Sequence, residues 1–124
     1  MNVVDSSGWL EYLANGPNAG FFAPAIEKAS SLVVPSITLY EVFKRAYQQR
    51  DEDAAAEAIA AMLQGHVADL DALAALSSAK VALELKLPMA DSIVLATARA
   101  YGATLWTQDS DFEGVEGVRY TARR

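Results

Sequence analysis

Aspartates stand just after two short β-branched runs, where strands of a parallel sheet would end. Asp5 follows residues 2–4, and Asp109 and Asp111 follow the run at 103–107. The carboxyl ends of parallel strands border the crevice in which such sheets bind ligands, and carboxylate oxygens are the donors that hard divalent cations prefer. The pattern predicts a cation site, although for either aspartate alone a role as the cap of a turn or helix would be the favoured explanation.

The elements that would position these aspartates alternate along the chain. Strands are predicted at residues 2–5, 32–34, 66–69, 103–107 and 118–121. Helices are predicted from a Ser6 or Ser7 cap to residue 13, and at 21–30, 37–50, 51–65, 72–87 and 90–101. Such alternation favours an α/β fold, in which helices cover both faces of a mainly parallel sheet.

Aromatic residues in these elements are predicted to pack in the core. Trp9 and Trp106 stand where helices would meet the sheet. Tyr40, Phe43 and Tyr47 recur at helical spacing, which is typical of a buried helix face.

Composition bounds the class of protein. The chain has 124 residues, 52% apolar and 21% charged, as expected for one globular domain spanning 1–124. No apolar run is long enough to cross a bilayer and no basic leader opens the chain, so we expect a cytoplasmic location. There is no cysteine and His66 is the only histidine, which excludes thiolate or histidine zinc sites and histidine-dependent triads. The net charge of −6 disfavours polyanion binding unless the acids are gathered and neutralised.

Four blocks of the sequence carry a resemblance to a known family. They read VVDSS at 3–7, PSITLYEV at 35–42, LPMADSIVLATA at 87–98 and LWTQDSDF at 105–112. In this order and at these separations they resemble the blocks of PIN-domain ribonucleases of the VapC toxin type. The resemblance implies a three-layer α/β/α domain and an acidic site that binds Mg²⁺ or Mn²⁺.

Matched position by position, the resemblance implies a set of site residues. The catalytic and metal-binding acids are Asp5, Glu41, Asp91 and Asp109, with Asp111 as a further metal ligand and Ser7 and Thr107 as supporting polar residues. Gln108 departs from the pattern, because many relatives carry a basic residue there.

Carboxylates gathered in one crevice repel each other, and a divalent cation would relieve that repulsion. Such an ion can activate a water for attack on phosphorus. We expect Asp5 and Asp109 to bind the ion directly, Asp91 to bind it directly or through water, and Glu41 to hold a water or a second ion. Asp91 could instead serve its helix dipole, and Glu41 could pair with Arg45.

The resemblance also implies an activity and partners. The chain would be an endoribonuclease acting on RNA, the toxin of a toxin–antitoxin pair, inhibited by an antitoxin protein and assembled as a homodimer. The alanine-rich stretch at 54–61 is predicted to be a packing or dimer surface. Lys44, Arg45 and the tail residues Arg119, Arg123 and Arg124 could contact phosphates or be simply solvated.

Three other interpretations compete with the nuclease. Haloacid-dehalogenase-like phosphatases also end their first strand in an aspartate nucleophile, but they need a second aspartate where this chain has Ser7. The toprim fold starts its site with a glutamate, where this chain has Asp5. A catalytically silent protein-binding module with the same fold is the remaining alternative.

Overall fold

Five parallel strands form the central sheet of the computed structural model, which describes residues 1–124. They are β1 (Asn2–Val4), β2 (Leu32–Pro35), β3 (His66–Ala68), β4 (Thr104–Thr107) and β5 (Val118–Tyr120). Their order across the sheet is β3-β2-β1-β4-β5, and every neighbouring pair is parallel. All five predicted strands are present, and the sheet is parallel throughout.

Six helices connect the strands. They are α1 (Ser6–Leu13), α2 (Ala19–Ile26), α3 (Ser36–Gln49), α4 (Glu52–Met62), α5 (Ala72–Leu85) and α6 (Met89–Ala100). The predicted second helix, 21–30, is wrong at both ends: α2 starts at Ala19 and stops at Ile26, and a separate 3-10 turn spans Ala29–Ser31. No helix has both the length and the apolar character that a bilayer crossing requires.

Alternating side chains on the strands divide the interior into two hydrophobic cores. Val4 and Trp106 join one core with Trp9 of α1 and Phe22 of α2. Val3 and its neighbours on the opposite face join the other core, which includes residues of α5 and α6. Because side chains along a strand point alternately to the two faces, both faces are covered and the fold has three layers. The predicted α/β/α architecture is confirmed.

The chain reverses its direction of travel across the sheet between β1 and β4. It proceeds from β1 to β2 to β3 on one side, then returns to place β4 on the other side of β1 and β5 beyond it. Val4 of β1 lies opposite Trp106 of β4. In open α/β sheets, ligands bind beyond the carboxyl ends of the strands at such a switch point.

The aromatic stripe of α3 faces solvent, contrary to the prediction that it is buried. Tyr40, Phe43 and Tyr47 are 62%, 38% and 48% exposed. Thr38 and Val42 form the buried side of the helix instead. Both sides have helical spacing, so periodicity alone could not identify the one that faces the sheet.

Other predicted packing positions are confirmed. Trp9 and Trp106 are buried. Within the alanine-rich helix α4, Ala55 and Ala58 are buried, and this helix packs against α3. Small side chains allow that close approach, so the stretch serves internal packing at least on this side.

Candidate functional site

Asp5 ends β1 and is almost fully buried, with 5% of its surface exposed. Its Oδ1 accepts hydrogen bonds from the backbone N–H of Gly8, at 2.9 Å, and from the Ser7 hydroxyl, at 2.8 Å. Asp5 is therefore the N-cap of α1, and the prediction of Ser6 or Ser7 as the cap is wrong. A carboxylate outcompetes a hydroxyl here because it is a stronger acceptor for the free amides of the first turn.

Thr107 connects the ends of β1 and β4. Its buried hydroxyl donates to Asp5 Oδ2 at 2.6 Å and accepts from the backbone N–H of Asp109 at 2.9 Å. The resemblance implied only a supporting role for Thr107 and did not indicate that it contacts both aspartates. One side chain fixes both strand-exit aspartates across the switch point.

Three carboxylates meet at the carboxyl end of β4. Asp91, Asp109 and Asp111 each offer an oxygen, and these oxygens all lie within 4.8 Å of one another. Asp109 and Asp111 are fixed locally, because Asp109 Oδ1 accepts the backbone N–H of Asp111 at 3.0 Å in a 3-10 turn. Asp91 comes from the first turn of α6. The spacing suits oxygen ligands of one cation.

Burial and mutual repulsion perturb the acids of this region. Burial raises the pKa of Asp5 to about 6, although its hydrogen bonds to Thr107, Gly8 and Ser7 oppose the shift. Burial, followed by the charge of Asp109, raises the pKa of Asp91 to about 7. Burial also raises the pKa of Glu41 despite a hydrogen bond from Ser6, and Asp109 adds to the shift. Asp109 therefore acts electrostatically on all the other predicted catalytic acids.

These residues border a polar cleft of about 560 Å³. Its acidic lining residues are Asp5, Glu11, Glu41, Asp91 and Asp109, and its basic ones are Lys44, Arg45 and Arg123. Of the predicted site residues, Ser7 also lines the cleft, Thr107 is buried beneath it, and the exposed Asp111 adjoins it through Asp109. The structure therefore gathers the predicted acids, and it places Asp5 and Glu41 outside the tight group of three.

A buried hydrogen bond between two amide side chains beside the cleft was not predicted from the sequence. Asn18 is 2% exposed and its Nδ2 donates to Oε1 of Gln108 at 2.9 Å. Gln108 Nε2 in turn donates to the carbonyl of Ser7 at 3.4 Å. Asn18 follows a predicted helix stop, and its partner lies far away in the sequence, so no local pattern indicates the contact.

Comparison with known proteins identifies the same fold. The PIN domain family model matches residues 3–118. No curated protein matches the sequence.

Solved structures superpose over nearly the whole chain. A toxin–antitoxin complex from Klebsiella pneumoniae is 22% identical, with a TM-score of 0.81 and 96% of each chain covered. The sarcin-ricin loop cleaving toxin VapC20 from Mycobacterium tuberculosis is 18% identical, with a TM-score of 0.77, and covers 94% of this chain and 95% of its own. DNA-bound VapBC from Salmonella typhimurium is 20% identical, with a TM-score of 0.76, and the match covers 98% of this chain and 97% of the other.

Proposed function

Because this chain belongs to the PIN domain family, we propose that it is a metal-dependent endoribonuclease and the toxin of a toxin–antitoxin pair. The observation that carries the proposal is the group of three carboxylates, Asp91, Asp109 and Asp111, within 4.8 Å at the topological switch point. Bringing three like charges together is unfavourable by itself, and a cation bound among them would offset that cost.

The donor set fits a hard divalent cation, Mg²⁺ or Mn²⁺. All the candidate ligands are oxygens, and burial together with the neighbouring charges of Asp109 and Asp111 raises the pKa of Asp91, which a bound cation would oppose. Asp91, Asp109 and Asp111 would hold the ion, with Asp5 at the edge of the cleft as a further ligand. When bound, it would lower the pKa of a coordinated water and neutralise charge on the phosphate.

The chain's own residues supply the rest of the chemistry. Thr107 and Ser7 fix both oxygens of Asp5, so this carboxylate stays at the edge of the cleft as a rigid acceptor. Glu41, half-buried on α3, lines the cleft and would hold a water molecule, and its raised pKa suits a carboxylate that takes the proton of that water.

The same contacts disfavour a phosphatase with Asp5 as nucleophile. Its two oxygens accept three hydrogen bonds in a buried position, which leaves little freedom to attack phosphorus. Ser7 occupies the position of the second aspartate, and its hydroxyl is engaged with Asp5.

The proposed partners are an RNA substrate, an antitoxin protein and a second copy of the chain. Similar folds occur in a toxin–antitoxin complex and in a sarcin-ricin loop cleaving toxin, which supports the first two. We place the protein in the cytoplasm, where structured RNAs and an antitoxin would both be available.

The proposal is tested with end-labelled transfer RNAs and ribosomal fragments, incubated with antitoxin-free protein in Mn²⁺, Mg²⁺ or EDTA. We expect discrete cuts that require the metal. Asp91→Asn should abolish them, whereas Asp69→Asn, at the exposed end of β3, should leave them unchanged.

Melting temperature measured in the same samples separates the outcomes. Mn²⁺ should stabilise the wild type and stabilise Asp91→Asn less, because the ion binds the folded cluster. Cuts that persist in Asp91→Asn would reveal a contaminant and contradict the assignment. No cuts together with no metal response would favour the silent binding module.

A further inference from the structure

The C-terminal tail is held against the cleft by contacts on both of its sides. The backbone N–H of Thr121 donates to the carbonyl of Thr107 at 3.1 Å, which continues the pairing of β5 with β4. One residue later, the carbonyl of Ala122 accepts a hydrogen bond from Asn18 Nδ2 at 3.0 Å. The next residue, Arg123, lines the cleft.

The anchor for this tail is itself rigid. Asn18 is buried, its backbone N–H donates to Glu11 Oε2 at 2.6 Å, and its amide also binds Gln108. Gln108 stands between the two residues that define the end of β4, Thr107 and Asp109. The tail is therefore attached to the framework that positions the aspartates.

Arg123 is the only tail arginine that lines the cleft. The guanidinium of Arg119 lies 4.4 Å from the centre of the Trp106 ring, which accounts for it structurally. Arg124 is exposed and does not border the cleft. This difference between neighbouring arginines makes Arg124 a matched control.

The strand order places cations on both sides of the acids. Four strands lead to these charges along the carboxyl edge of the sheet. β2 leads into α3 with Lys44 and Arg45, and β5 leads to Arg123. Between them, Asp5 follows β1 and Asp109 lies two residues beyond β4. A strand of RNA crossing the cleft would meet positive charge before and after the acidic centre.

We propose that Arg123 binds an RNA phosphate on the β5 side of the acidic centre, opposite Lys44 and Arg45 of α3. This inference rests on the proposed function and names how that function holds its substrate. A guanidinium suits the task because it donates two parallel hydrogen bonds to a phosphate and stays charged at all relevant pH values. Elsewhere in the cleft, carboxylates would repel RNA, so each cation contributes strongly to binding.

The proposal is tested by RNA binding in a background that carries Glu41→Gln, so that the RNA is not cut while Asp5, Asp91, Asp109 and Asp111 are unchanged. The probe is a fluorescent single-stranded RNA of about 20 nucleotides with randomised sequence, measured by anisotropy in Mn²⁺ over a salt series. Arg123→Ala should raise Kd about five- to tenfold at low salt and reduce the slope of log Kd against log salt by about 0.7, one phosphate contact. Arg124→Ala should stay within about twofold, and Arg123→Lys should recover part of the loss.

A second readout guards against a merely structural or electrostatic role. The Mn²⁺-induced rise in melting temperature of Arg123→Ala should equal or exceed that of its background, because removing a cation near carboxylates favours binding of the metal. If Kd and the salt slope of Arg123→Ala match those of Arg124→Ala, Arg123 only offsets the acidic charge and the proposal is wrong. Loss of both RNA binding and the Mn²⁺ response would make Arg123 part of the site's framework and would likewise overturn it. RNA that fails to bind even with Arg123 intact would refute the proposed nuclease itself.

Discussion

Replacing Asp5 with asparagine should stabilise the metal-free protein near neutral pH while it abolishes RNA cleavage. Asp5 is held almost without solvent at the end of β1, in a position where its negative charge is poorly solvated. Asparagine keeps the shape and an acceptor oxygen for the N-cap, but it carries no charge. The variant would therefore lose RNA cleavage, and its folded state would become more stable.

The magnitude follows from the pKa of Asp5, which burial raises from 3.8 to about 6. Between these values the folded protein binds a proton that the unfolded chain does not, so stability falls as pH rises through this window. The loss is complete above the folded pKa and amounts to about 3 kcal/mol. Asparagine avoids it but forfeits the hydrogen bond from the Thr107 hydroxyl, about 1 kcal/mol. The net gain is about 2 kcal/mol, or roughly 5–10 °C in melting temperature for a domain of this size.

The assay is thermal unfolding in EDTA at about pH 8 and at about pH 5, followed by circular dichroism. The variant should melt above the wild type at the higher pH, and the difference should shrink to less than half at the lower pH, where only about half of the loss has accumulated. Asp69→Asn, an exposed aspartate after β3, should show no such pH-dependent difference. An equal difference at both pH values, or a variant less stable at about pH 8, would refute the role of burial.

Three further predictions concern the same region. Mn²⁺ affinity, measured by calorimetry, should fall up to about tenfold per pH unit below pH 7 and level off above it. The reason is that Asp91, with its pKa of about 7, must lose a proton to bind the ion. An affinity that does not change with pH would contradict this. Thr107→Val should lower the free energy of unfolding, measured in urea, by about 1–3 kcal/mol, because the Asp5 carboxylate and the Asp109 backbone N–H would lose their hydrogen-bond partner. Thr107→Ser, which keeps the hydroxyl, should be clearly less destabilised. Equal losses in the two variants would show that the hydroxyl does not have this role. Gly8→Ala should lower the free energy of unfolding by about 1–3 kcal/mol, because its Cβ would lie 2.6 Å from the Phe22 ring. Gly20→Ala, whose Cβ would have no atom within 4 Å, should be tolerated in the same urea experiment.

Much of the fold could be predicted because its signals are local. Short β-branched runs separated by longer helical segments are enough to indicate a parallel sheet between helix layers. Asp5 and Asp109 could be predicted as site residues for the same reason, because each lies within two residues of the end of a strand and parallel strands share one carboxyl edge. Asp91 and Glu41 were predicted as site residues only from the resemblance, because their spacing along the chain does not indicate that they lie at that edge.

What the sequence could not indicate depends on tertiary contacts. The aromatic face of α3 is as periodic as its buried face, and only the position of the sheet decides between Tyr40 and Val42. The contact between Asn18 and Gln108 joins residues 90 positions apart, and no propensity encodes it. The tight group of three carboxylates likewise depends on where α6 begins relative to the end of β4.

The site can form only after β4 has been synthesised, because it requires β1 to pair with β4. The hydrogen bond from Thr107 to Asp5 spans 102 positions of sequence. At about 5–20 residues per second, a ribosome adds Thr107 roughly 5–20 s after Asp5. Before then, the acids at the two ends of the chain cannot meet, however well the helices between them have formed. A nascent or prematurely released chain that lacks Thr107 therefore has no assembled centre, and the ribosome that makes this proposed nuclease is protected from it until β4 has been synthesised.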